Sequence, residues 1–260
     1  MFNSPNKAFV RNVYKKLRAL RKHDCNSNHQ LGLPFTKAEL TAALKNLQPR
    51  KAPGPDGIPN EFLMKPGEVM MEWFLSFVNA CLLHNHIPKM WRRASIIAIL
   101  KPGKLDSNPE SYRPISLLCS SFKLFERLIL NRINPIIDPL LPPEQAGFRK
   151  GKSTVDQVCR LTQNIEQAFH DRHVAGSVFI DLKAAYDTVW HKGLHLKLSE
   201  LLQCSKMSNL IMNLLHCRSF ILDTNDGQSS RSFNLKNGVA EGSVLAPTLS
   251  NVYTSDFSEI

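Results

Sequence analysis

The chain has 260 residues, 43% of them apolar, enough to bury a sizeable core in one large domain or two smaller ones and too many for a chain disordered throughout. Its net charge is +11, distributed unevenly: Lys and Arg number 25 against 12 Asp and Glu over residues 1–160, and 8 against 10 over residues 161–260. A basic first part points to a polyanionic partner, because cations that displace counterions from phosphates give affinity without sequence preference, and an acidic second part suits bound cations.

In chain order, residues 5–22 pattern as a basic amphipathic helix, with Phe9, Val13, Leu17 and Leu20 on one side and Arg11, Lys15, Arg18 and Lys22 on the other. Thr36 and Glu39 carry a capping-box signature, and Leu40, Leu44 and Leu47 recur at helical spacing, so residues 37–48 read as a helix ended by Pro49. Arg50–Phe62, RKAPGPDGIPNEF, is too rich in Pro and Gly for regular structure and reads as an ordered loop. Residues 68–85 read as an apolar helix, and Ser95–Leu100 as a short buried strand followed at once by Lys101.

Residues 122–137 and 154–169 read as two core-facing helices, the first through Phe122, Phe125, Leu128, Ile129 and Ile133, the second through Val155, Val158, Leu161, Ile165 and Phe169. Gly176–Leu182, GSVFIDL, is a strand candidate with Asp181 near its end, and residues 219–236 suggest a hairpin turning at Asn225-Asp226-Gly227. Asn237–Pro247 is a glycine-punctuated loop running into a helix. The expected architecture is α+β, with a mainly antiparallel sheet in the second part.

Several chemistries are disfavoured by the residues themselves. Six cysteines occur without CxxC pairs, and His191 and His195 lack a third ligand at zinc-like spacing, so no structural metal is expected. Gly147–Thr154 resembles a phosphate cradle, but its first glycine would have to stand at position 146, which is Ala146. No apolar run approaches the roughly 20 residues that cross a bilayer, and the first residues lack a signal-peptide core, so an intracellular protein is expected. Asp181, flanked by Val178, Phe179, Ile180 and Leu182, requires a metal, a basic partner or a helix to cap.

Five segments in a fixed order carry a resemblance: RKAPGPDGIPNEF, ESYRPISLL, EQAGFRKGKSTVDQ, FIDLKAAYDTVWH and GVAEGSVLAPTLSNVYTSD. Together they resemble the reverse transcriptases of non-LTR retrotransposons, the jockey-like group in particular, over roughly residues 33–260. The resemblance implies the fingers and part of the palm of a right-hand polymerase, with a mainly helical fingers region and an antiparallel palm sheet. It implies a basic linker over residues 1–32, fingers and adjoining palm helices over 33–170, and partial palm over 171–260.

It further implies an RNA template, a DNA primer and deoxynucleoside triphosphates as partners, and two Mg²⁺ ions as cofactors. Asp181 matches the first metal-binding aspartate, assisted by the backbone carbonyl of Leu182. Lys101 and Arg113 match cations that hold the incoming triphosphate, Tyr186 the aromatic beneath its sugar, and Gly242 with its neighbours the loop that supports nucleotide and template.

Two departures stand out. Ala240-Glu241 replaces the family's usual Pro-Gln, so an acid that faces the nucleotide would weaken triphosphate binding unless a cation offsets it. The family's aromatic-x-Asp-Asp pair does not occur by Ile260, and Asp256 and Glu259 do not form it, so the chain is expected to be truncated and inactive by itself. A non-catalytic nucleic-acid-binding remnant is the alternative.

Overall fold

The computed structural model describes residues 7–22, 29–182, 184–224 and 227–256. Helix α1 (Lys7–Lys22) buries Val13 and Leu17 against Leu196, with Leu20 and Trp190 at the margin, and exposes Lys7, Arg11, Lys15, Lys16 and Arg18. The amphipathic reading of this segment holds. Helix α2 (Lys37–Leu44) starts at a complete Thr36/Glu39 capping box, but it stops one turn before the sequence pattern does, and Leu47 lies beyond it.

After the short helix α3 (Asn60–Met64), α4 (Glu68–His84) seats Phe74, Val78 and Leu82 in the core and ends on Asn85 in the left-handed conformation. Helix α5 (Ser120–Ile137) is the centre of the molecule: Phe125, Ile129, Ile133 and Ile137 have no measurable exposure, and α2, α3 and α7 (His191–Leu202) pack on it. Pro135 removes one i→i−4 hydrogen bond from the last turn, and the helix ends two residues later at Ile137. Arg132 on α5 binds the entering chain, donating to Leu33 O and Pro34 O, pairing with Glu39 at 2.5 Å and stacking over Phe35 at 4.0 Å.

The sheet has the order β2–β1–β3–β4, made of β1 (Arg93–Leu100), β2 (Tyr112–Leu117), β3 (Arg218–Asp223) and β4 (Phe233–Leu235). The β3–β4 hairpin is antiparallel, as its pattern predicts, although Asn225 and Asp226 at its tip lie outside the described residues. The β1–β2 pair is also antiparallel, whereas β1 and β3 run parallel. The sheet therefore takes two strands from the basic first part and two from the second, rather than lying in the second part alone.

One core cluster extends from Leu31 to Val252, with α7, α8 (Ser205–Leu215) and α9 (Ala246–Tyr253) closing it. Two expectations fail. Helix α6 (Thr154–His170) forms behind a Ser153/Asp156 capping box but buries no residue, and Val155, Val158 and Phe169 are exposed. Gly176–Leu182 has no regular structure and joins no strand, and Val178, Phe179 and Ile180 are each more than 80% exposed. Periodicity and β-branched composition made both segments ready to pack, and nothing in the described chain covers them.

Candidate nucleotide-binding site

Lys101 and Arg113 come together through strand register. Lys101 N–H donates to Ser111 O at 2.8 Å, and Ile99 faces Arg113, so Lys101 and Arg113 are diagonal neighbours on one face of the antiparallel pair. Lys101 Nζ also donates to Glu110 O at 2.9 Å, which steadies the turn between the strands.

The glycine loop docks on the free edge of β2. Ser116 N–H donates to Glu241 O at 2.8 Å, and Gly242, at φ +117°, passes so close that a Cβ would lie 2.4 Å from Ser116 O. Gly238, at φ +84°, makes the same kind of approach to the Tyr186 and Asp187 backbone. Val239 N–H donates to Tyr186 O and Gly238 N–H to Val189 O, each at 2.9 Å, and His191 Nε2 meets Gly238 O at 2.8 Å. The loop thus joins the Tyr186 segment to the β1–β2 pair.

The side chains follow. Arg113 Nε lies 3.7 Å from Glu241 Oε1, both groups largely open to solvent. Tyr186 packs edge-on against Phe148 with ring centroids 6.4 Å apart, and burial, then the Glu241 charge, push its hydroxyl pKa up. Glu241 thus links Arg113, 3.7 Å away, with Tyr186, which feels its charge, and Lys101 shares the Arg113 face of the strand pair. Tyr186 and Asp187 stand in a turn over residues 184–188 instead of the helix the sequence suggests, and burial raises the Asp187 pKa.

Asp181 stands apart. It lies in the exposed, unpaired segment with Leu182, and among the described residues it forms no hydrogen bond or ion pair with the cluster. Lys183, where a capped helix would begin, is outside the described residues, and Asp256 is paired with Lys197 at 2.6 Å.

The sequence reading missed the support beneath the loop. Glu126 on α5 is 3% exposed; Ser243 Oγ donates to one carboxylate oxygen and Val244 N–H to the other at 2.9 Å. Burial raises the Glu126 pKa, opposed first by Ser243 and Val244 and then by the charge of Arg218, itself buried on β3. The signal was present: Glu126 is an acid four positions after Phe122, within an apolar helical stripe. Such a group requires partners.

Residues 99–260 match the reverse transcriptase (RNA-dependent DNA polymerase) family. The chain belongs to that family. The chain is 42% identical over 226 residues to a probable RNA-directed DNA polymerase from transposon BS of Drosophila melanogaster, covering 86% of this chain and 25% of that protein. It is 38% identical to the RNA-directed DNA polymerase from mobile element jockey of Drosophila funebris, with 86% and 24% covered. To a Pol polyprotein from the type-1 retrotransposable element R1 of Bradysia coprophila it is 32% identical, with 62% and 16% covered.

The resemblance to jockey-like, non-LTR elements is therefore sound, and the chain spans about a quarter of the length of the jockey and BS relatives. Membership implies a divalent metal ion. The described residues do not assemble a site for one: no group of three or more His, Cys, Asp or Glu converges among them, and Asp181 is alone. No helix among the described residues is long and apolar enough to cross a membrane.

Proposed function

We propose that this chain is the fingers and part of the palm of an RNA-directed DNA polymerase of a non-LTR retrotransposon, and that the Arg113–Glu241–Tyr186 cluster receives the incoming deoxynucleoside triphosphate. The single observation that carries this reading is the docking of the Glu241-Gly242 loop on the edge of β2, which puts Glu241 beside the Arg113 guanidinium at an open surface while the same loop bonds the Tyr186 backbone. A guanidinium recognises phosphate through its planar fork, and Lys101 adds a second cation on the same face. Tyr186 would lie beneath the sugar and Gly242 would allow the nucleotide and template to approach the backbone.

In this reading residues 33–170 make the fingers and adjoining helices, 171–260 the partial palm with its antiparallel hairpin, and 1–32 a basic linker. The partners are an RNA template, a DNA primer and deoxynucleoside triphosphates inside the cell. Asp181 and the Leu182 carbonyl belong to the Mg²⁺ centre, which needs further carboxylates around them.

The isolation of Asp181 favours a second reading, a nucleic-acid-binding module without catalysis. Both readings are tested by titrating the chain with a fluorescent deoxynucleoside triphosphate and then supplying a primed RNA template with Mg²⁺. The polymerase reading expects nucleotide affinity that falls about tenfold in Arg113→Ala, in line with removal of a charge-assisted hydrogen bond worth about 1.5 kcal/mol. Strand binding with no Arg113-dependent nucleotide binding and no extension would leave the binding module.

A further inference from the structure

We infer a second nucleic-acid contact: the cleft between α1 and the start of α7 holds a phosphate of a single strand as it passes over this face. The choice of nucleic acid among polyanions rests on the polymerase reading. The site itself shares no residue with the Arg113 cluster.

The cleft has a volume of about 320 Å³, the lower end of the range for ligand sites and large enough for one nucleotide unit. Tyr14, Arg18, His191, Lys192, His195 and His216 line it, and among the described residues no carboxylate does. Helix α1 as a whole carries seven Lys and Arg and no Asp or Glu. Lys192 is held in place, its Nζ 3.9 Å from the centre of the Tyr14 ring. Among the described residues neither Arg18 nor Lys192 takes part in an ion pair. Arg18 and Lys192 are the cations of the cleft, burial pushing the His191 pKa down, and an anion seated between them gains from both.

Two features favour a strand over a free anion. A second concavity on α1, lined by Arg11 and Lys15, shares Tyr14 and Arg18 with the first, so the cations form a track longer than one phosphate. The inner wall of the cleft is tied to the candidate nucleotide site: His191 Nε2 bonds Gly238 O, three positions before Glu241. A strand seated here would run toward the loop that supports the nucleotide.

Fluorescence anisotropy with labelled oligo(rU) tests the site across a salt series. Replacing both Arg18 and Lys192 with Gln should weaken binding by about tenfold and lower the salt slope by about 1.4, roughly 0.7 for each cation withdrawn from a single strand. Replacing Lys7 and Lys16 with Gln, which removes the same charge from α1 outside the cleft, should cost less than about threefold. Equal losses in the two pairs, or no binding of the oligonucleotide, overturn the proposal, as does its displacement by millimolar inorganic phosphate at constant ionic strength.

Photo-crosslinking of 4-thiouridine RNA to the unsubstituted chain is a second readout that no folding defect can blur. Adducts should fall within residues 11–18 and 191–195, and adducts confined elsewhere overturn the site. Neither readout requires nucleotide turnover. Cleft-dependent strand binding without Arg113-dependent nucleotide binding sinks the polymerase reading alone, and the reverse sinks this site alone.

Discussion

Glu241 and Arg113 oppose one another's use. An acid where the resemblance implies a neutral amide would repel triphosphate, and Arg113 stands 3.7 Å away, near enough to offset the charge and to be held back by it. Exposed pairs at this separation are worth about 0.2–1 kcal/mol. Glu241→Gln is therefore expected to tighten deoxynucleotide binding by about two- to fivefold, read by equilibrium titration, and to lose that gain when Arg113 is also replaced. Unchanged affinity in the single variant would mean that the carboxylate faces away from the ligand. The sequence made Lys101, Arg113, Tyr186, Glu241 and Gly242 legible through motif order. It left Glu126 hidden, because a pattern reading counts an acid as a surface residue until the partners that bury it are known.

At the scale of elements, the join between α2 and α5 is an electrostatic one. The Arg132 guanidinium bonds the Glu39 carboxylate and holds its pKa down to about 2, against burial, which pushes the other way. The folded carboxyl thus titrates below its ordinary value of 4.5, so its contribution is complete above about pH 4.5 and disappears as the pH falls through 2. Linkage alone would give about 3 kcal/mol, and solvent screening of a carboxylate that is 31% exposed reduces this to about 1–2 kcal/mol. Chemical denaturation of Glu39→Gln should show that loss at pH 7 and almost none at pH 2. A deficit that persists at pH 2 would assign it to packing instead.

Elements differed in how well the sequence revealed them, and the reasons are physical. The capping boxes and the α5 stripe are local, so neighbouring residues specify them. Strand β2 carries Pro114 opposite Ala98, and a proline in a short polar-apolar run obscures a strand unless it is known to lie at an edge. Helix α6 was legible as a helix and misread as buried, because amphipathicity shows that a face is apolar and not that another surface covers it.

For the whole molecule, the consequence is an unbalanced surface. Val178, Phe179 and Ile180 and the Val155, Val158 and Phe169 face of α6 present apolar side chains to water beside a fully closed core. Such patches drive association. Sedimentation of the 260-residue chain should show concentration-dependent self-association with binding of a hydrophobic dye, and Phe179→Ser with Ile180→Ser should reduce both while leaving the cooperative melting of the core in place. A monomer that binds no dye would contradict this. The α+β class was legible from the alternation of patterns, whereas the mixing of early and late strands in one sheet was not, because no local pattern encodes a partner more than a hundred residues away.

That mixing governs the order in which the chain can complete itself. Arg93 on β1 faces Ser219 on β3, 126 positions later, with α5, α6, α7 and α8 between them. At a ribosomal rate of about 5–20 residues per second, β1 waits roughly 6–25 seconds for its parallel neighbour to be made. During that interval only β2 covers it, and its other edge remains open to solvent or to a chaperone. The sheet thus cannot be completed before the late hairpin exists, and its closure across so many residues is an intrinsically slow, long-range pairing.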